Sequence, residues 1–164
     1  AASGVVGQYA PWAWERAERL GGKVWDPRVL KAARDAQRFT PELRTLNRIG
    51  ERVYEVDFHP AYHELMALGF GSGVHSLAWT AEQPGAHSAR AVLSYLWNQI
   101  DGSTACPLGM AYASIPMLRS RPEFAEFARA VAADANLLRR PIVIDGDRAI
   151  VGFDPKAYAA LARR

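Results

Sequence analysis

Cysteine is nearly absent: Cys106 stands alone in 164 residues. An internal disulfide, a CxxC redox pair and a cysteine zinc knuckle are therefore excluded. A reducing compartment is the simple reading, and a cytoplasmic location is expected. Long apolar runs are missing as well. The longest, Cys106 to Leu118, falls short of the roughly 20 residues a membrane span needs and contains Pro107 and Pro116. No membrane partner is expected. The opening Ala1-Ala2-Ser3-Gly4 has neither a basic region nor a hydrophobic stretch, so it does not read as a signal peptide. The missing initiator Met points to a processed, truncated or artificial start. Charge of one sign is scarce too: Lys and Arg number 20 against 17 Asp and Glu, a net of +3. The arginines lie beside acids, as in Glu15-Arg16 and Glu18-Arg19, rather than in a basic stripe with interleaved aromatics. A solvated surface is the reading, and nucleic acid is not an expected partner.

What remains is an ordinary globular composition, 49% hydrophobic and 23% charged, enough for one good core plus a small satellite. Pro11 to Leu20 reads as a short helix ended by Gly21-Gly22. Asp26-Pro27 is a strong helix start, followed by an apolar face of Val29, Leu30, Ala33 and Ala36. Thr40-Pro41 could open a further helix, but Thr45 to Phe58 lacks a helical period and reads as an extended loop. Helix resumes after His59-Pro60, with Tyr62, Leu65, Met66 and Leu68 inward, until Gly69, Gly71 and Gly73 break it. After Pro84-Gly85, the spacing of Ala89, Val92, Leu93, Leu96 and Ile100 predicts the clearest helix of the chain, closed by Gly102. Cys106 to Leu118, apolar on nearly all sides, predicts a buried helix with Pro107 in its first turn and a kink or end at Pro116.

The pattern changes near Ser120-Arg121-Pro122. Phe124, Phe127, Ala128 and Val131 mark an amphipathic helix. Two β-rich runs, Pro141 to Ile144 and Ala149 to Phe153, then flank Asp145-Gly146-Asp147, a hairpin signature. Asp154-Pro155 caps a last helix carrying Tyr158, Leu161 and Ala162. The fold class is thus mainly α with a small α+β tail. Residues 1–120 form a helical domain with essentially no sheet, and residues 121–164 form an α-β-β-α segment with one hairpin. In that hairpin Ile142–Ile144 should pair antiparallel with Ala149–Val151. Leu93, Leu96, Ile100, Ala113 and Ile115 should be buried.

Several residue sets could carry chemistry. His59 and His63, four apart with Glu64 alongside, could share a metal, but Pro60 occupies the position where a zincin carries Glu. His75 and His87 are the possible third ligands, and no metal site is expected. Gly69-Phe70-Gly71-Ser72-Gly73 resembles a phosphate loop only superficially, since a helix rather than a strand precedes it. Cys106 begins an apolar helix and reads as a buried structural thiol rather than a nucleophile. Glu55 and Asp57 are paired carboxylates in an extended segment, which a solvated edge explains. Arg139, Arg140 and Arg148 flank the tail hairpin. They either bind an oxyanion or the carboxylates of a thiol cosubstrate, or are ordinary hairpin-edge charges.

Two resemblances follow. Phe58-His-Pro-Ala-Tyr-His-Glu-Leu-Met66, then Pro84-Gly-Ala-His87, Ala89-Arg90-Ala91 and Cys106-Pro107 in order, make residues 25–118 resemble the alkylation-response branch of the acyl-CoA dehydrogenase flavoproteins. Pro41-Glu-Leu-Arg-Thr-Leu-Asn-Arg-Ile-Gly50 is similar to the loop before that motif. Met110-Ala111 departs from the family's Met-Thr. The resemblance implies the N-terminal helical domain of that fold. Family members add a β-domain and a C-terminal bundle that complete the FAD site and supply the catalytic base region. Asn136 through Asp154 resembles the end of the arsenate-reductase family of thioredoxin-like proteins, in which Arg140 and Pro141 would form a cis-proline turn beside the active site. That family's catalytic cysteine sits on an N-terminal βαβ unit. Two partial families end to end suggest a chimera, a gene remnant or an engineered sequence.

The expectation is an incomplete acyl-CoA-dehydrogenase-like module with no catalytic residues and no cofactor bound by this chain alone, FAD being the cofactor of the resembled family. Its partner would be a second copy or a missing domain that completes an FAD-dependent oxidoreductase. The other reading is an anion- or glutathione-binding module built on the tail.

Overall fold

The computed structural model describes residues 10–81, 83–133, 142–145, 148–152 and 154–161. A 3-10 turn, Pro11–Ala13, leads into α1 (Trp14–Val24), followed by α2 (Pro27–Arg38), β1 (Glu42–Leu46), β2 (Arg52–Asp57), α3 (Pro60–Gly71) and the short α4 (Leu77–Thr80). Next come α5 (Ala86–Trp97), α6 (Gly102–Arg119), a second 3-10 turn (Pro122–Phe124) and α7 (Ala125–Ala133). The tail contributes β3 (Ile142–Asp145), β4 (Arg148–Val151) and α8 (Pro155–Leu161). The mainly helical class with a small α+β tail holds. β3 and β4 pair antiparallel in the expected register, Ile142 with Val151, Val143 with Ile150 and Ile144 with Ala149. Gly146 and Asp147 at the hairpin tip lie outside the described residues.

The helix starts follow local chemistry. The Asp26 carboxylate accepts from Arg28 N at 2.8 Å and Pro27 occupies the first helical position. His59 caps α3 in the same way, its Nδ1 accepting from Ala61 N at 3.2 Å ahead of Pro60. Gly85, at φ 78°, turns the chain into α5 through a conformation other residues rarely adopt. Two glycines do not act as expected: Gly21 and Gly22 lie inside α1, which runs on to Val24. Leu20 and Val24 are both buried, and their burial one turn apart outweighs the roughly 1 kcal/mol each helical glycine costs.

The front is not free of sheet. Residues expected as an extended loop form the β1–β2 hairpin, pairing Glu42 with Asp57, Leu43 with Val56 and Arg44 with Glu55, and Leu46 with Arg52 past a bulge. Asn47 builds the turn: its side-chain oxygen accepts from Ile49 N and Glu51 N, both at 3.0 Å, and Gly50 takes φ 84°. Opposite partners share a face, so Arg44, Glu55 and Asp57 lie together. Arg44 forms ion pairs with both acids, at 3.3 Å to Asp57. Leu43 and Val56 stay exposed on the other face.

The main core joins α1, α2, α3, α5 and the start of α6 around Leu20, Val24, Leu65, Leu93, Trp97 and Leu108. Trp97 is completely buried. Its Nε1 donates to Thr104 Oγ1 at 3.1 Å, and the Thr104 hydroxyl donates in turn to Asp101. The Asp101 carboxylate caps α6 by accepting from Ser103 N at 3.1 Å and Thr104 N at 2.9 Å. Burial pushes this carboxyl upward, but hydrogen bonds from Thr104 and Ser103 outweigh it and hold Asp101 below the usual carboxylate value. Gly102 therefore opens α6 rather than closing α5, which ends at Trp97. A satellite core of Ile115, Leu118, Ala128, Val131 and Ala132 packs α7 onto α6, with Trp79 of α4 alongside.

Three burial expectations need correction. Leu93, Ile100 and Ile115 are buried, but Leu96 is half-buried and Ala113 is exposed. Cys106 is exposed as well. Ala113 and Cys106 share a cause, since α6 buries Thr104, Leu108, Ala111, Ile115 and Leu118 along one face and leaves the opposite apolar face to solvent, whereas Leu96 lies on α5 and is only partly covered. Leu96→Ala should consequently cost less than the roughly 2–5 kcal/mol of a fully buried leucine.

Two expectations follow from this packing. A Cβ on Gly69 would lie 2.6 Å from Leu108 Cδ1, whereas one on Gly109 of α6 would meet nothing within 4 Å. Gly69→Ala should therefore destabilise by about 1–3 kcal/mol through overpacking, and Gly109→Ala should stabilise by about 0.5–1 kcal/mol. Urea denaturation of both variants reads this out. Asp101→Ala should cost roughly 0.5–2 kcal/mol at neutral pH. Because the folded-state pKa is depressed, that difference should be full above the unfolded value of about 4 and should fade as acid protonates the folded carboxylate. Urea midpoints of wild type and variant across acidic pH measure it.

Candidate functional site

Two of the distinctive sequence motifs, Pro84 to His87 and Ala89 to Ala91, meet α4 and α6 at one place. Trp79 of α4 stacks on Tyr112 of α6 with ring centroids 5.2 Å apart, and its Nε1 donates to the Tyr112 carbonyl at 3.1 Å. His87, from the Pro84-Gly-Ala-His motif at the start of α5, places Nδ1 2.8 Å from the Tyr112 hydroxyl and stands edge-on to Trp79. Arg90, from the Ala-Arg-Ala motif one turn on, lays its guanidinium 3.9 Å over the Tyr112 ring and donates from Nε to the Val74 carbonyl at 2.8 Å. Arg119 closes the far side, 5.2 Å from the Trp79 ring and 3.2 Å from its carbonyl. Burial lowers the Arg90 guanidinium from its ordinary pKa, and Tyr112 opposes that shift. An arginine nonetheless stays charged.

This arrangement holds helices together. The planar guanidinium of Arg90 both stacks and hydrogen-bonds, a pairing lysine cannot reproduce. His87 and Tyr112 form an imidazole–phenol pair that lines neither of the two clefts along α1. Pro84 contributes through its carbonyl, which accepts from Trp12 Nε1 at 3.0 Å and ties the entry to α5 back to the start of α1.

The other sequence candidates disperse. His59 caps α3 and stacks on Phe39 at 4.8 Å, and exposed His63 stands edge-on to Phe58 and Tyr62. His75 is buried edge-on to Phe70 at 5.0 Å. Among the described residues no three His, Cys, Asp or Glu side chains group where they could hold a metal ion. Glu55 and Asp57 are paired with Arg44. Gly69 is the close-packing point of α3 rather than part of a phosphate loop. Arg139 and Arg140 lie outside the described residues. Arg148 begins β4, its backbone opposite Asp145. No helix among the described residues is long and apolar enough to cross a membrane.

The clefts described do not enclose the flavin that the sequence resemblance implies. The larger of these two clefts, about 530 Å³, is open to solvent and lined by both apolar and polar side chains.

The helix order and packing are those of the helical N-terminal part of an acyl-CoA dehydrogenase. The crystal structure of Caenorhabditis elegans ACDH-11 in complex with C11-CoA matches 81% of this chain and 23% of that one, with a TM-score of 0.66. At 18% identity the likeness is one of fold. Residues 3–135 match the adaptive response protein AidB N-terminal domain, and the chain belongs to that family. The putative acyl-CoA dehydrogenase AidB of Escherichia coli K12 is 33% identical over 115 residues, covering 70% of this chain and 21% of the relative. The chain thus spans about a fifth of the length of that relative and is an incomplete acyl-CoA-dehydrogenase-like module. Residues 111–161 match the ArsC family, which supports the resemblance of the tail. The two matches overlap from 111 to 135, a stretch that holds the whole buried satellite core.

Because Arg90 ties α5 to Tyr112 and Val74, Arg90→Lys should lower stability by about 1–3 kcal/mol through loss of stacking and of the bond to Val74. Exposed Arg119→Lys should change it by less than about 0.5 kcal/mol. Equal thermal denaturation shifts in the two variants would contradict this assignment.

Proposed function

We propose that the chain supplies one helical wall of an acyl-CoA-dehydrogenase-like flavoenzyme and performs no catalysis alone, the FAD and the substrate being held where further domains close on it. One observation carries this reading. An 18-residue helix whose only formal charge is Arg119 leaves Cys106, Met110, Ala113 and Met117, spaced four, three and four apart, in solvent. Such a stripe is the seam of a helix meant to be covered. The kinship with a putative acyl-CoA dehydrogenase supplies the class of what covers it. The fold neighbour bound to C11-CoA supports an acyl-thioester as the substrate class of the completed enzyme.

The test mixes the purified chain with a fragment of the Escherichia coli relative that lacks its matched segment. The chain alone should release no flavin on denaturation and reduce none with acyl-CoA. With the fragment it should form a stoichiometric complex, seen by sedimentation velocity, that Met110→Lys/Met117→Lys weakens at least about tenfold. Acyl-CoA-dependent flavin reduction by the chain alone, or equal complexes from both forms, would defeat the reading.

The ArsC-family match favours a second reading for the tail, in which Arg139, Arg140 and Arg148 hold a small anion or the carboxylates of a glutathione-type thiol. Calorimetry with arsenate, phosphate and glutathione should then show binding that Arg140→Ala weakens about tenfold or more. Heats identical in wild type and variant would remove it. Arsenate turnover is not expected, since arginines give charge stabilisation but no covalent step.

A further inference from the structure

A groove runs along α1 past the end of α3 to α4, away from the α6 stripe and sharing no residue with the Trp79–Tyr112 cluster. Its wide part, about 530 Å³, is bounded by Trp12, Arg16, Phe70, Leu77 and Gln83 among others, and its narrow extension by Arg16, Arg19, Lys23, Gly71 and Ser72. Arg16 and Gly71 belong to both parts, so the two are continuous.

Among the described residues the charges lining it are all positive. Arg16, Arg19 and Lys23 recur three and four residues apart on one face of α1, and no aspartate or glutamate among the described residues lines either part. Arg19 pairs with Glu15 at 2.6 Å in the open, an arrangement worth little in water. Among the described residues Arg16 and Lys23 have no ion-pair partner.

Cations beside a helix C-terminus can serve only to satisfy its last carbonyls. At α3 that work is already done by backbone. Ser72 N donates to the Leu68 carbonyl at 3.0 Å, Gly73 N to Phe70 at 2.9 Å and Val74 N to Gly69 at 3.2 Å. The three cations are left facing an open groove. At its wide end Trp12, Phe70 and Leu77 offer flat and apolar surface, with the hydroxyls of Ser76 and Thr80 and the Gln83 amide among the walls. Gly71 keeps the floor low, since a Cβ there would project into empty space.

The geometry points to a binding site for an organic phosphate: one or two phosphate groups along Arg16, Arg19 and Lys23, and a flat body against Trp12 and Phe70. A guanidinium fork and an ammonium suit phosphate oxygens, and an indole face suits a flat ring. This site stands apart from the flavoenzyme reading and from the tail arginines, so it can fail or hold without either.

Calorimetry on the full chain, with ADP, adenosine and inorganic pyrophosphate as probes, tests it. ADP should bind more tightly than either part of it. Arg16→Gln and Lys23→Gln should each weaken ADP about tenfold, and Gly71→Phe should block it, while circular dichroism confirms that each variant folds. Arg28→Gln, which removes an equal charge outside the groove, should leave the affinity unchanged. No binding of ADP at millimolar concentration would overturn the proposal. So would equal losses from Arg16→Gln and Arg28→Gln, or pyrophosphate binding as tightly as ADP.

Discussion

The helical body depends on the environment of one side chain, Trp97. Its indole nitrogen is buried and must be satisfied, and Thr104 meets that need from the first turn of the next helix. Thr104 can do so only because Asp101 fixes the start of α6 and orients the hydroxyl. Gln37 of α2 reaches the same carboxylate at 3.4 Å. Beside the indole, α3 passes so close that a Cβ at position 69 would meet Leu108 at 2.6 Å and the Trp97 ring at 3.4 Å. A tryptophan, a cap and a glycine far apart in sequence thus set the relative placement of α2, α3, α5 and α6. Once α5 and α6 are fixed, Arg90 and Tyr112 meet, and α4 is held between them.

Elements governed by local chemistry were legible in the sequence. Asp26-Pro27 and Asp154-Pro155 start helices because a carboxylate and a proline answer the needs of a first turn, whatever surrounds them. The β3–β4 pairing followed from β-branched runs around an Asp-Gly step. The β1–β2 hairpin escaped because its turn runs from Asn47 to Gly50, longer than the two-residue signal, and its strands mix charged with apolar residues. Asn47, able to accept from two backbone amides, followed by Gly50 is the signal that could have revealed it. Gly21-Gly22 misled in the opposite sense, because burial of Leu20 and Val24 overrides a weak local preference.

The site was less legible. His87, Arg90 and Cys106 stood out in the sequence as family marks, and two of the three proved to be ties between helices. What joins Arg16 to Gly71 across 55 positions is the packing of α1 beside the end of α3, and no pattern in either segment announces it. The exposure of Cys106 and Ala113 was hidden for a related reason. Apolarity on all sides of α6 records everything the helix is meant to touch, whereas the chain itself covers only one face.

The two faces of the β1–β2 hairpin answer to solvent in opposite ways. One is held by the ion pairs of Arg44 with Glu55 and Asp57, all well exposed, and added salt screens them. The other shows Leu43 and Val56 to water, and kosmotropic salts such as sulfate or phosphate drive such surface toward burial. A single change of medium therefore loosens the clasp and makes the opposite surface adhesive. Colloidal behaviour would then be set by the choice of buffer anion as much as by protein concentration.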